Sequence, residues 1–260
     1  MIDKQAARRL RPRSGRTAHL TAIVIALVIG IWAFAASRTA SYVLPSPQSI
    51  AKELVTNPML YVRQSGPTAL ETALGFFLGS AIAIVGAVIF VFSTALRQAL
   101  YPVAVAVNSV PIVAVAPLLV IALGAGLTTK VVITTLISYF PTLISMTRGL
   151  TSVEPEAIEY FRTLRAGPIK TLLLLRWPAS LPNLFIGLRI AASACVISAV
   201  IAEWVGADRG LGYLIIESSH EFNILTMWTA VVSATIMALL AFGIVVIVER
   251  WALRGRPEAS

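Results

Sequence analysis

Six stretches of continuous apolar residues, each close to twenty long, constrain this chain more than any other feature. They fall at about 20–37, 68–92, 101–123, 128–147, 183–204 and 226–249. A bilayer's hydrocarbon core is about 30 Å thick, and a helix needs about 20 apolar residues to cross it. In lipid every backbone N–H and C=O must find a partner within the protein, which leaves helices or a closed barrel. Barrel strands alternate apolar and polar residues over about ten positions. These runs do not alternate and are about twice as long, so the sequence predicts an all-α integral membrane protein, a bundle of six transmembrane helices. Charged residues make up 13% of the chain, against about 25% in a soluble domain, so a soluble core is excluded. The expected organisation is a basic tail over 1–19, one membrane domain over 20–252 and a short tail over 253–260.

The formal charge of +9 would suggest nucleic acid in a soluble protein. Here basic residues flank membrane helices and set orientation. The N-terminal tail, Arg97, the segment between spans four and five and the C-terminus together hold 16 Lys and Arg, while the opposite side holds five. Six spans place both termini on the richer side, predicted to be the cytoplasm. The basic start followed by an apolar run and "AFAAS" (33–37) also resembles a secretory signal. The length of the run from Thr21 to Ala36 favours an uncleaved anchor.

The segment 38–67 is polar, carries four prolines and is expected to lie along the outer surface. "GFFLG" places Gly75 and Gly79 on one helix face, where small residues let helices approach closely in lipid. That face fits either a subunit interface or packing within the chain. Span three carries Pro102, Pro111 and Pro117 beside Asn108 and Ser109, so it is expected to bend. Cys195 is the single cysteine and sits in an apolar run; His19 and His220 are far apart, and no spacing predicts a metal site.

Between spans four and five lies "EYFRTLRAGPIKTLLLLRWPASLP" (159–182), charged and broken by Gly167-Pro168. From Pro155 to Leu164 the pattern predicts a helix of about three turns, with Pro at its start. Ala157, Ile158, Phe161 and Leu164 fall at helical spacing, away from Glu156, Glu159, Arg162 and Thr163. Such a helix is too short and too charged to span. Its apolar side suits the membrane interface or a groove on a soluble protein, and the pattern alone leaves both open.

This loop resembles the cytoplasmic signature of ABC importer permeases: Glu-Ala-Ala, three residues, Gly, nine residues, Ile, one residue, Leu-Pro. Glu159, Tyr160 and Phe161 take the first three places, Arg165 the glycine place, Leu175 the isoleucine place and Trp177-Pro178 the last two. The spacing holds throughout, and the missing glycine puts the local turn in question. Flanking text strengthens the likeness: "LPSP" (44–47), "VPIVAVAPLLVIALGAG" (110–126), "FPTLI" (140–144), "LPNLFIGLRIA" (181–191) and "AEWVGADRGLGYLI" (202–215). These look like the nitrate/sulfonate/taurine branch, which also includes permeases for pyrimidine precursors of thiamine. The resemblance implies a permease half-transporter of the bacterial inner membrane that performs no covalent chemistry. Two copies would enclose one pathway, fed by a periplasmic or lipid-anchored binding protein. A separate ATPase would bind ATP and Mg²⁺ and receive the loop as a coupling helix, through Glu156, Glu159, Tyr160, Phe161, Arg162, Leu164, Arg165 and Gly167. On that reading Glu159 and Arg162 set register by charge while Phe161 and Leu164 bury. The chain itself has no G-x-x-x-x-G-K-[ST], and "GLG" (210–212) lacks the third glycine of a dinucleotide turn.

Polar groups in apolar spans tend to face cavities. The pathway candidates are Asn108, Ser109, Ser138, Tyr139, Ser193, Ser198 and Glu203. For each serine the competing role is a bond to its own helix backbone, and Glu203 beside Trp204 reads as a structural partner near the outer gate. Arg189 either snorkels or pairs with an acid. A stand-alone channel or secondary transporter is the alternative function. It would require an acid or histidine relay inside the membrane, and only Glu71 and Glu203 come near that requirement, both at span ends. The solute is left open between a nitrate-, sulfonate- or taurine-like anion and a pyrimidine-like organic molecule.

Overall fold

Why does a chain so rich in apolar residues still carry glycine and serine along its spans? In the computed structural model, which describes residues 14–40 and 43–254, those small residues are where the helices meet. The expected tails lie mostly outside the described residues. All the described elements are helical: α1 (Ser14–Arg38), α2 (Pro47–Thr56), α3 (Pro58–Phe92), α4 (Thr94–Ser109), α5 (Ile112–Leu123), α6 (Leu127–Thr151), α7 (Pro155–Thr163), α8 (Pro168–Thr171), α9 (Trp177–Glu203), α10 (Leu211–His220) and α11 (Ile224–Ala252). A π turn, Leu172–Arg176, joins α8 to α9 without a break in direction. Helices α1, α3, α6, α8–α9 and α11 are each long and apolar enough to cross a membrane, and α4 with α5 makes a sixth crossing if counted as one.

The centre is built by α3, α6 and α9. A Cβ at Gly75 would collide with Thr134, and one at Gly79 with Ser138, so the "GFFLG" face is the seam between α3 and α6. Gly187 of α9 lies against Pro141, Thr142 and Ser145 of α6 in the same way. Lipid supplies no hydrophobic drive for helix association, so close backbone approach and dispersion do the work. Ala83, Ala87, Phe90, Leu143, Met146, Leu150, Leu172 and Leu184 form the buried cluster at the α7 end. At the far end Tyr61, Leu214 and Ala230 tie α3, α10 and α11 together. Helix α1 packs little, with Leu20, Ile23, Val24 and Phe34 exposed; it meets α2 near its end, where Ala36 is buried, and Trp32 packs against Trp228.

The structure refines two expectations. Within the segment 38–67, α3 already begins at Pro58, and Pro67 sits inside it. Proline is favourable at a first helical position, and Asn57 precedes it as the cap residue. The third run bends as its prolines led one to expect, and so far that it forms two helices. Helices α4 and α5 meet at 92°, and Pro111 stands at the junction with an extended backbone. Pro111 offers no N–H and disfavours helix at the residue before it, whereas Pro102 and Pro117 are carried inside their helices.

Candidate functional site

Helix α7 is defined at both ends by its own sequence. Pro155 occupies the first turn with Glu156, where a negative charge meets the positive end of the helix dipole, and Arg162 lies in the last turn. The stop is a Schellman motif: the Ala166 N–H donates to the Phe161 carbonyl at 3.0 Å and the Arg165 N–H to the Arg162 carbonyl at 2.9 Å. The motif needs one residue in the left-handed conformation, and Arg165 supplies it with φ 51°. Gly167, the nearby glycine, keeps an ordinary φ of −67° and caps α8 instead. The glycine place of the signature is thus a left-handed place, filled here by arginine.

The side chains of α7 divide between two surroundings. Ala157, Ile158 and Phe161 are half-buried against the bundle, while Tyr160 and Leu164, four residues apart, are exposed. Glu156, Glu159, Arg162 and Arg165 are exposed as well. The apolar pair open to a partner is therefore Tyr160 and Leu164 rather than Phe161 and Leu164; Phe161 is half spent within this chain. Arg162 borders a cavity of about 410 Å³ between α7, the end of α3 and the α8–α9 junction.

At the far end α3, α6, α9 and the start of α10 converge on buried charge. Lys130 Nζ of α6 lies 2.9 Å from Glu71 Oε1 of α3, and both residues are buried. The Glu203 carboxyl of α9 lies beside that of Glu71. It accepts from Thr68 Oγ1 at 2.6 Å and from the Gly212 N–H. Thr68 Oγ1 in turn accepts from the Leu211 N–H, and Gln64 Oε1 from the Gly210 N–H. "GLG" folds onto this carboxylate: a Cβ at Gly210 would overlap Glu203, and Gly210 has φ 119°. A cavity of about 600 Å³ adjoins the cluster, lined by Glu71, Lys130, Gly126, Asp208 and Arg209 among others. Sequence reasoning counted Lys130 only as one of the five basic residues on the side opposite the termini and missed its burial. The available signal was its position four residues into an apolar helix, within reach of the only acid of α3 beyond Pro58.

The pathway candidates do not share one lining within the chain. Asn108 and Ser109 end α4 at the 92° junction, and Asn108 lines a cavity of about 170 Å³ with Val110, Ile112, Val115, Leu136 and Ile137. Ser109 bonds its own helix at the Val105 carbonyl. Ser138 is fully enclosed, donating across the seam to the Gly75 carbonyl at 3.0 Å, so it cannot face a passage. Tyr139 Oη donates to the Ala104 carbonyl at 2.8 Å and ties α6 to α4. Ser193 and Ser198 bond carbonyls of α9 itself, and Ser198 is buried. Arg189 pairs with Glu249 of α11 at 3.3 Å. Among the described residues no group of three His, Cys, Asp or Glu is placed to hold a metal.

Residues 75–254 match the family model described as binding-protein-dependent transport system inner membrane component. A Haemophilus influenzae protein named "Probable ABC transporter permease protein" is 33% identical over 222 residues, covering 85% of this chain and 91% of its own. The formylaminopyrimidine transport permease protein ThiX of Halalkalibacterium halodurans is 28% identical, covering 88% and 92%. The taurine transport system permease protein TauC of Escherichia coli is 27% identical, covering 92% and 90%. In fold, the chain is similar to one from the MetNI methionine ABC transporter in inward-facing conformations, with TM-score 0.66 and 22% identity, covering 76% of this chain and 99% of that one.

Proposed function

The chain belongs to the family of binding-protein-dependent transport system inner membrane components, and on that premise we propose that α7 is the lever through which a separate ATPase works it. It is the transmembrane permease subunit of an ATP-driven importer. The observation that carries the lever reading is α7 itself: a short helix, stopped rigidly by its Schellman turn, with Tyr160 and Leu164 exposed beside Glu159. A force passed between two proteins needs a stiff element with a complementary apolar anchor, and aromatic residues serve best as such anchors. The α7 end also holds Arg97, Arg148, Lys170, Arg176 and Arg250, which supports placing it, and both termini, in the cytoplasm.

In this reading ATP and Mg²⁺ bind the partner ATPase. Two permease copies enclose the pathway, and a binding protein presents solute at the far end, beside the Glu71–Lys130–Glu203 cluster. The named relatives transport formylaminopyrimidine and taurine, and a small organic solute of one of those kinds is the proposed cargo. The test is the double substitution Tyr160→Ala/Leu164→Ala. Uptake and solute-stimulated ATP hydrolysis fall together while membrane insertion is unchanged. Normal uptake by that variant, or labelling of Glu159→Cys by an impermeant thiol reagent in intact cells, overturns the proposal.

A further inference from the structure

We propose that the cavity between α7, the end of α3 and the α8–α9 junction is a site for the phosphate headgroup of an anionic phospholipid. This rests on the chain spanning the membrane with α7 on the cytoplasmic side, and not on α7 being a lever.

The cavity holds about 410 Å³ and is walled by Val91, Phe92, Arg162, Thr171, Leu172 and Arg176 among others. Two of the lining residues are arginines, and no acidic residue lines it. The Arg162 guanidinium has no hydrogen bond or ion pair among the described residues. Arg176 donates one Nη1 bond to the Leu150 carbonyl at the end of α6, at 3.0 Å. That bond fixes the guanidinium plane and leaves its other donors free, since the group carries five N–H in a rigid fork. Leu172 and Arg176 stand at the two ends of the π turn, a rare backbone form that is frequent at functional sites.

Two arginines lining one pocket call for an anion with several acceptor oxygens, and phosphate matches the guanidinium fork. The surroundings select its source. Phe92, Ile169, Leu173 and Leu174, beside the cavity, are 50%, 67%, 57% and 66% exposed. Exposed apolar side chains at the end of a span are covered by hydrocarbon. A ligand with a phosphate head and acyl tails fits both halves, as basic pockets between transmembrane helices on the cytoplasmic side do elsewhere. A soluble phosphate would satisfy the arginines alone.

The test uses the full-length chain, delipidated in a neutral detergent and titrated with phosphatidylglycerol, phosphatidylcholine or glycerol phosphate, read by native mass spectrometry and thermal unfolding. Phosphatidylglycerol is retained and raises the melting temperature; the other two do neither at matched concentration. Arg162→Gln weakens phosphatidylglycerol binding roughly tenfold, as expected for loss of a charge-assisted bond. Arg97→Gln, at the same end but outside the cavity, leaves it unchanged. Arg162 is exposed and unpaired, so its substitution leaves folding intact, whereas Arg176→Gln also removes the tie to Leu150. Equal binding of the two lipids overturns the proposal, as does equal loss in the two variants. Full effect from glycerol phosphate shows a free-anion site and overturns the lipid assignment. None of these readouts involves ATP, so failure here is distinct from failure of the lever.

Discussion

Arg165 holds a backbone conformation that an L side chain resists, with φ 51°. The left-handed form costs a non-glycine residue about 1–2 kcal/mol, and glycine's extra freedom in the unfolded chain costs about 0.5–1 kcal/mol in return. Arg165→Gly is therefore expected to stabilise the chain by roughly 0.5 kcal/mol, and Arg165→Val to destabilise it, both read from thermal unfolding in detergent. Buried charge sets a larger stake at the far end. Glu71 and Lys130 are paired at 2.9 Å with almost no exposure, and removing one partner of a buried pair costs about 3–5 kcal/mol. Lys130→Ala is expected to fall in that range. The double variant Glu71→Ala/Lys130→Ala loses less than the two single losses added, which a double-mutant cycle measures.

Among the elements, the seam of α3 with α6 is the least forgiving. Gly79→Val forces a branched side chain into Ser138 and is expected to cost about 1–3 kcal/mol by overpacking. Gly243→Ala on α11 meets nothing within 4 Å and serves as the neutral control. Had the glycine face been a subunit interface, Gly79→Val would disturb association and spare the unfolding of the single chain. The seam also shows what sequence can and cannot carry. Glycine spacing marks a close contact, because only a missing Cβ permits it, but the opposing Thr134 and Ser138 lie about sixty positions away, and no local pattern joins them. Apolar periodicity found the long helices for the same reason it found α7: lipid and partner demand continuous faces. It set the start of the second span at 68, whereas α3 begins at Pro58, and the prolines announced a bend between α4 and α5 but not its angle, since hydropathy does not record direction. Arg165 was legible as a departure from the loop signature, though the turn it forms became plain only with the backbone.

For the whole molecule, most of the outer surface is apolar: Phe77, Ile121, Leu239, Ile244 and Ile247 are all more than half exposed. A surface of that kind is suited to hydrocarbon rather than to water. Among the described residues, the backbone turns out of helical geometry at the corner Val110-Pro111. A helix ends in carbonyls without intrahelical partners and begins with amides in the same state, and hydrocarbon offers them nothing. Cysteine placed at Asn108 is therefore expected to react with a small hydrophilic thiol reagent, while one at Ile121, exposed on the apolar α5, stays unmodified; Cys195, being buried, gives no background. Protection at Asn108 would mean that protein alone satisfies the corner. The right-angled corner thus marks one depth of the barrier where dryness is hardest to keep: where the chain turns, solvent is expected to follow it in, and a conduit walled by such a corner begins with a moist notch already cut into it.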